Sequence, residues 1–212
     1  MTKKLTAKKK KPEKDGMQRI LEAAVNEFCR AGLAGAKLDV IAMEANVSKQ
    51  LIHHYYGTKP ELYVAVINEI TAKEISDLNK IDYENNTPEM AIQLFLEGIF
   101  GFFIHWPLLA GLYNDQSLYG GEHIPACRDL LKHSPELMKR LEEVIERGKQ
   151  EGIFKHSVDP KKSIAAAIMV TLGGFTQGAL IAPLVTTDFT SPQGLEDWLA
   201  FATDFTLNAL KA

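Results

Sequence analysis

"NVSKQLIHHYYGTK", residues 46–59, sets two histidines and two tyrosines in a row between a polar opening and a Gly-Thr-Lys close. Such a run could hold a metal, form a catalytic pair, fill a core or face a partner. Helical spacing separates these readings. Neighbours on a helix point about 100° apart, whereas a helical chelate wants its ligands four residues apart. Four residues beyond the histidines stand Gly57 and Thr58, and four before them stand Lys49 and Gln50, so neither histidine has a partner ligand. No serine or cysteine sits in a nucleophile motif, so no catalytic residue, metal or cofactor is expected.

The same spacing sorts the run by direction. Ile52 and Tyr56 are four apart and face inward. Lys49 pairs with His53, and Gln50 with His54, on the outward face, with Tyr55 on the flank. Upstream, Leu38, Ile41, Ala42 and Ala45 mark a short helix, and Met17 to Phe28 an earlier one that Gly32 stops. Asn46 suits the left-handed turn between the two short helices, and Ser48 caps the second. The pattern predicts a helix-turn-helix. Gln pairs bidentately with adenine and Lys with guanine or phosphate, so the outward face has the composition of a major-groove reader.

The rest of the chain is punctuated by a cap followed by proline. "TKPE" at 58–61 is a capping box opening a helix to about Leu78. "TPE" at 87–89, "SPE" at 134–136, "DP" at 159–160 and "SP" at 191–192 open others. No strand alternation appears, so the expected fold is all-α with about nine helices. Three segments are expected: a flexible basic arm over 1–16, a DNA-binding domain over 17–60 and a larger helical domain over 61–212. Residues 164–185 carry no charge over 22 positions, and residues 90–112 carry only Glu97. By length the first could span a membrane, but its Gln177, threonines, glycines and Pro183 favour a buried or interfacial helix.

The net charge of −3 is unevenly spread. Residues 1–60 hold 12 Lys/Arg against 6 Asp/Glu, and residues 61–212 hold 12 against 21. A basic head on an acidic body fits a polyanionic partner for the head alone, although seven of the lysines lie within residues 1–14. Cys29 and Cys127, with no metal spacing, read as reduced thiols of a cytoplasmic protein.

The stretch "MQRILEAAVNEFCRAGLAGAKLDVIAMEANVSKQLIHHYYGTKPELYVAVI" resembles the N-terminal domain of the TetR family of transcriptional regulators, most clearly in "IAMEANVSK" and "HYYGTK". The chain departs from the family pattern at Asn46 for glycine, Lys37 for a hydroxyl residue and His53 for an aromatic. The resemblance implies a homodimer that reads a near-palindromic double-stranded operator and is released by a small molecule, acting as a repressor. Carried over by position, Lys49, Gln50, His53 and His54 become base contacts, and Lys37, Ser48, Tyr55 and Lys59 phosphate contacts. The resemblance further implies an effector cavity in the helical body, with Phe102, Trp106, Tyr113, Met138 and Phe175 lining it and His105, Asn114, Thr171 and Gln177 as polar groups. It places the dimer interface on the helices opening near Asp159 and Ser191, with Gly173, Gly174 and Gly178 allowing close approach. Two other readings remain: a membrane-associated helical protein, and a helical enzyme or carrier whose N-terminal domain is structural.

Overall fold

In the computed structural model, residues 13–212 are described; residues 1–12 of the expected arm, 1–16, lie outside them. The described residues form ten α-helices and one 3-10 turn. No β-sheet forms among them, and one isolated bridge pairs Phe154 with Lys211. The chain divides into two compact units, up to Val66 and from Ile67 onward. The division falls inside a helix rather than at its start.

The first unit contains α1 (Glu13–Gly35), α2 (Leu38–Glu44), α3 (Lys49–Tyr56) and the opening turns of α4 (Lys59–Asn79). α1 starts at Glu13, within the stretch read as arm. It kinks at Gly32, where φ is 64°. The core is mainly apolar: Ile20, Ala24, Phe28, Ile41, Ile52, Leu62 and Tyr63 are fully or almost fully buried, and Phe28 meets the Tyr63 ring edge-on at 5.0 Å. Asn46 takes the left-handed conformation, φ 52°, that reverses the chain between α2 and α3. Arg19 donates to the Ala45 carbonyl at 2.6 Å and so ties that turn to α1. Glu27, buried, pairs with Arg30 and accepts the Lys37 N–H at 3.0 Å at the mouth of α2. Burial alone would raise its pKa, but those partners override it and hold the carboxyl below its ordinary value.

The second unit begins in α4 and adds α5 (Pro88–His105), α6 (Leu109–Leu118), α7 (Arg128–Gln150), α8 (Pro160–Thr176), α9 (Gly178–Val185) and α10 (Pro192–Leu210). Thr87, Asp159 and Ser191 cap α5, α8 and α10, each with proline next, as the cap-proline pattern predicts. "SPE" at 134–136 is the exception. Pro135 lies inside α7, which starts instead after Cys127. Pro135 is exposed, as is Leu131, whose carbonyl loses its helical donor there and can be hydrated instead.

The two apolar stretches are each broken. The first ends α5 at Trp106-Pro107, and the second breaks at Gln177 between α8 and α9. Among the described residues no single helix is long and apolar enough to cross a membrane. Two bent pairs pass that test together, α5 with α6 at 102° and α8 with α9 at 81°. Each break adds a helix, α6 and α9, to the eight whose starts the sequence marks, giving ten where about nine were expected.

The loop after α4 is fixed by two arginines of α7. Arg140 grips the Glu84 carboxylate at 2.7 and 2.9 Å and the Asn79 and Ile81 carbonyls at 2.8 Å each, with its guanidinium 4.8 Å from the Tyr83 ring centre. Its hydrogen bond and charge hold the Glu84 carboxyl down at about 2. Arg147 donates to the Tyr83, Glu84 and Asn86 carbonyls at 3.0, 2.6 and 2.7 Å. Charged donors thus take up the carbonyls of Asn79, Ile81, Tyr83, Glu84 and Asn86.

Both cysteines are free and buried, Cys29 at 6% and Cys127 at 0% exposure. Burial pushes the Cys29 thiol up to about 12 and raises that of Cys127 as well.

Candidate functional sites

The first site is the outer face of α3. Ser48 accepts the Leu51 N–H at 3.2 Å, which sets the start of the helix. Ile52 is 1% exposed and roots the helix in the core. Tyr56 is half-buried and donates its hydroxyl to the Met17 carbonyl at 3.0 Å. Lys49, Gln50, His53 and His54 are all exposed, so one face of one helix presents the four expected reading side chains.

Their chemistry is further set by neighbours. Lys49 pairs with Asp39 of α2 at 3.1 Å, an exposed pair that a phosphate could displace at little cost. The His53 Nδ1–H donates to the Gly57 carbonyl at 2.7 Å, which leaves Nε2 to face outward. The His54 and Tyr55 rings lie 5.2 Å apart. Gly57, φ 73°, ends the helix in a conformation that disfavours any side chain.

Lys59 also has a partner within the first unit. Its ammonium donates to the Ala34 and Ala36 carbonyls at 3.2 and 3.0 Å, closing the end of α1. An ammonium has three protons, so one remains for a phosphate. Lys37 contributes its backbone N–H to Glu27 and leaves its side chain exposed at the mouth of α2. Glu61 completes the capping box, accepting the Thr58 N–H at 2.7 Å.

The second site is a cavity of about 260 Å³ in the second unit. α4 supplies Ile70, Glu74 and Leu78 to its wall, α5 Phe95 and Ile99, α6 Leu112, Tyr113 and Gln116, and α7 Leu137 and Met138. Ile168 and Leu172 of α8 complete it. The wall is mostly apolar; its polar groups are Thr71, Gln116 and one pair, in which the Tyr113 hydroxyl donates to Glu74 Oε2 at 2.8 Å. Burial pushes the Glu74 carboxyl up to about 6, with the Tyr113 bond offsetting part of the rise. Burial and the adjacent Glu74 charge raise Tyr113 well above its ordinary value.

Of the nine residues expected at this cavity, the structure puts Tyr113 and Met138 in the wall and the other seven outside it. Phe102 is half-buried and does not line the cavity, although it follows Phe95 and Ile99 at helical spacing toward the end of α5. His105 is exposed at the end of α5, and Trp106 lies beyond it with the Lys73 ammonium 5.2 Å from its ring centre. Asn114 is spent on the Thr176 carbonyl at 3.3 Å. Phe175 packs on Phe100 and Phe103 at 4.9 and 5.2 Å. Thr171 is fully buried, but its carbonyl accepts Trp198 Nε1–H at 3.2 Å in the α8–α10 contact. Gln177 is exposed at the break between α8 and α9.

Sequence reasoning missed Glu74. The signal was present: Ile67, Ile70, Glu74 and Leu78 follow helical spacing, so the glutamate replaces an apolar residue in the buried stripe of α4. Among the described residues no group of three or more His, Cys, Asp or Glu is placed to hold a metal ion.

These two units are those of a helix-turn-helix regulator with a helical body. Two family models match the chain. One, bacterial regulatory proteins of the tetR family, covers residues 20–66; the other, the tetracyclin repressor-like C-terminal domain, covers residues 88–206. The chain belongs to the TetR family of bacterial transcriptional regulators. The transcriptional repressor NicS of Pseudomonas putida is 23% identical over 192 residues, covering 91% of each chain. The fatty acid degradation regulator FadR of Bacillus halodurans matches in structure with a TM-score of 0.73 at 18% identity, over 95% of this chain and 98% of that one. FadR of Bacillus subtilis, solved in complex with stearoyl-CoA, matches with a TM-score of 0.69 at 16% identity, over 92% and 99%. At such identities the two structures show the shared fold.

Proposed function

We propose that the protein is a ligand-responsive transcriptional repressor that binds a near-palindromic operator as a homodimer. The observation that carries this is α3: Lys49, Gln50, His53 and His54 stand exposed on a helix whose inner face is locked by Ile52. Such a helix enters the major groove, and a dimer sets two of them about 34–36 Å apart along the duplex. Ser48, Tyr55, Lys37 and the free proton of Lys59 fix the register on phosphates. With Nδ1 engaged by the Gly57 carbonyl, Nε2 is the ring nitrogen of His53 left for a base edge in the groove.

Dimerisation is supported by the apolar outer faces of α8 and α10. Met169, Phe201 and Phe205 are 72%, 55% and 53% exposed in the single chain. Exposed aromatics in a contiguous row mark an interface. The cavity supports the effector. α4 runs from the first unit to the cavity wall, so a ligand that favours one arrangement of its two ends changes DNA affinity, with a coupling of about 1–3 kcal/mol.

Selection from a random DNA pool by the purified protein tests the reading. A two-fold symmetric motif is expected, and H54A and Y55A should each weaken its binding by about 1–3 kcal/mol. Affinity should also drop steeply with added salt. A pool that yields no motif, or variants that bind as wild type does, would reject it. The enzyme or carrier alternative predicts the latter result.

A further inference from the structure

The cavity holds a single carboxylate, Glu74, and no lysine, arginine or histidine lines it. A carboxylate has about four acceptor positions. Tyr113 fills one of Glu74's and is its only hydrogen-bond donor among the described residues. The other polar hydroxyl in the wall, Thr71, is turned back to the Ile67 carbonyl of its own helix at 2.8 Å. We propose that the effector is a small lipophilic amine, whose ammonium group pairs with Glu74 while its apolar body fills the aliphatic wall.

The proposal rests on the effector reading above for its biological role, though not for its binding chemistry. Three physical arguments support it. First, the carboxylate is ionised at neutral pH and above, since burial lifts it only to about 6. Second, its dehydration is already incurred in the folded protein, so an incoming cation incurs only its own and meets a partner where screening is weak. An anionic ligand would instead meet a like charge with no cation in the wall. Third, the volume sets the size. A cavity of roughly 150 Å³ takes one benzene, so 260 Å³ takes about ten non-hydrogen atoms.

Three probes matched in body test this: 4-phenylbutylamine, 4-phenylbutanol and 4-phenylbutyrate. Each is titrated by calorimetry into the full-length protein, without DNA, near pH 8. The amine is expected to bind at least about ten-fold tighter than the alcohol, and the acid weakest. In E74Q, an isosteric change, the amine should fall to the alcohol's affinity. In M138W, which fills the cavity, binding of all three should be lost. The assignment is overturned if the acid binds as well as the amine, if none of the three binds, or if the amine preference survives E74Q or M138W. Because no DNA is present, a failed operator reading leaves this result standing. Conversely, equal binding of amine and alcohol removes the amine assignment and leaves an effector cavity in place.

Discussion

Glu74 carries a charge in a wall that offers it one donor, and its stability cost depends on pH. Its folded pKa of about 6 lies above the ordinary 4.5, so between these values the native state binds more protons than the unfolded chain. Stability from this group is therefore fully present below about pH 4.5 and is lost as pH rises through 6, by about 2 kcal/mol in all. E74Q keeps an acceptor for Tyr113 and cannot ionise. Compared with wild type by urea unfolding, it should gain up to about 2 kcal/mol above neutrality and little near pH 4. An unchanging difference across that range would show that Glu74 does not titrate in the window. At this scale the sequence was a good guide to direction on α3 and a poor one to the cavity. Lys49, Gln50, His53 and His54 lie on the expected face because helical period alone fixes it. Glu74 was overlooked because a lone acid in an amphipathic helix ordinarily belongs to the wet side.

Helix α8 packs on α10 through a missing side chain. A Cβ at Gly174 would stand 2.6 Å from Trp198 Cδ1, and one at Gly178 would stand 2.6 Å from the Phe189 Cβ. These glycines were expected to serve an approach between subunits; within the chain Gly174 and Gly178 seat two aromatic side chains. G174A should destabilise the protein by about 1–3 kcal/mol through overpacking, read as a lowered unfolding midpoint. If the midpoint holds, the Trp198 ring has room to shift. Helix starts were legible at Thr87, Asp159 and Ser191, where a capping side chain meets proline and both act within one turn. The start of α7 was not, since Cys127 gives no side-chain cap and the proline sits on an exposed flank that tolerates it. The Arg140–Glu84 grip, 56 positions apart, was also hidden, because only packing brings those residues together. R147A removes three charge-assisted bonds to the loop after α4 and should cost about 2 kcal/mol or more in chemical unfolding.

For the whole molecule, the class and the two-part plan followed from the sequence, while the place where one unit gives way to the next did not. That division lies inside an unbroken helix, and helices carry no sequence punctuation at their middle. The dimer expectation belongs to this scale. F205K places a charge in the exposed apolar row of α10 and should shift the protein to monomer in light scattering, with a parallel loss of operator affinity. A variant that stays dimeric would move the interface off this face. The two thiols allow one more measurement. Cys29 lies in the first unit and Cys127 in the second, and both are shut away from solvent and held protonated. Neither can react with an alkylating agent until its own surroundings open. The native chain thus carries one chemical clock per unit, and timed labelling with mass spectrometry would show whether the head and the body unfold together or in turn.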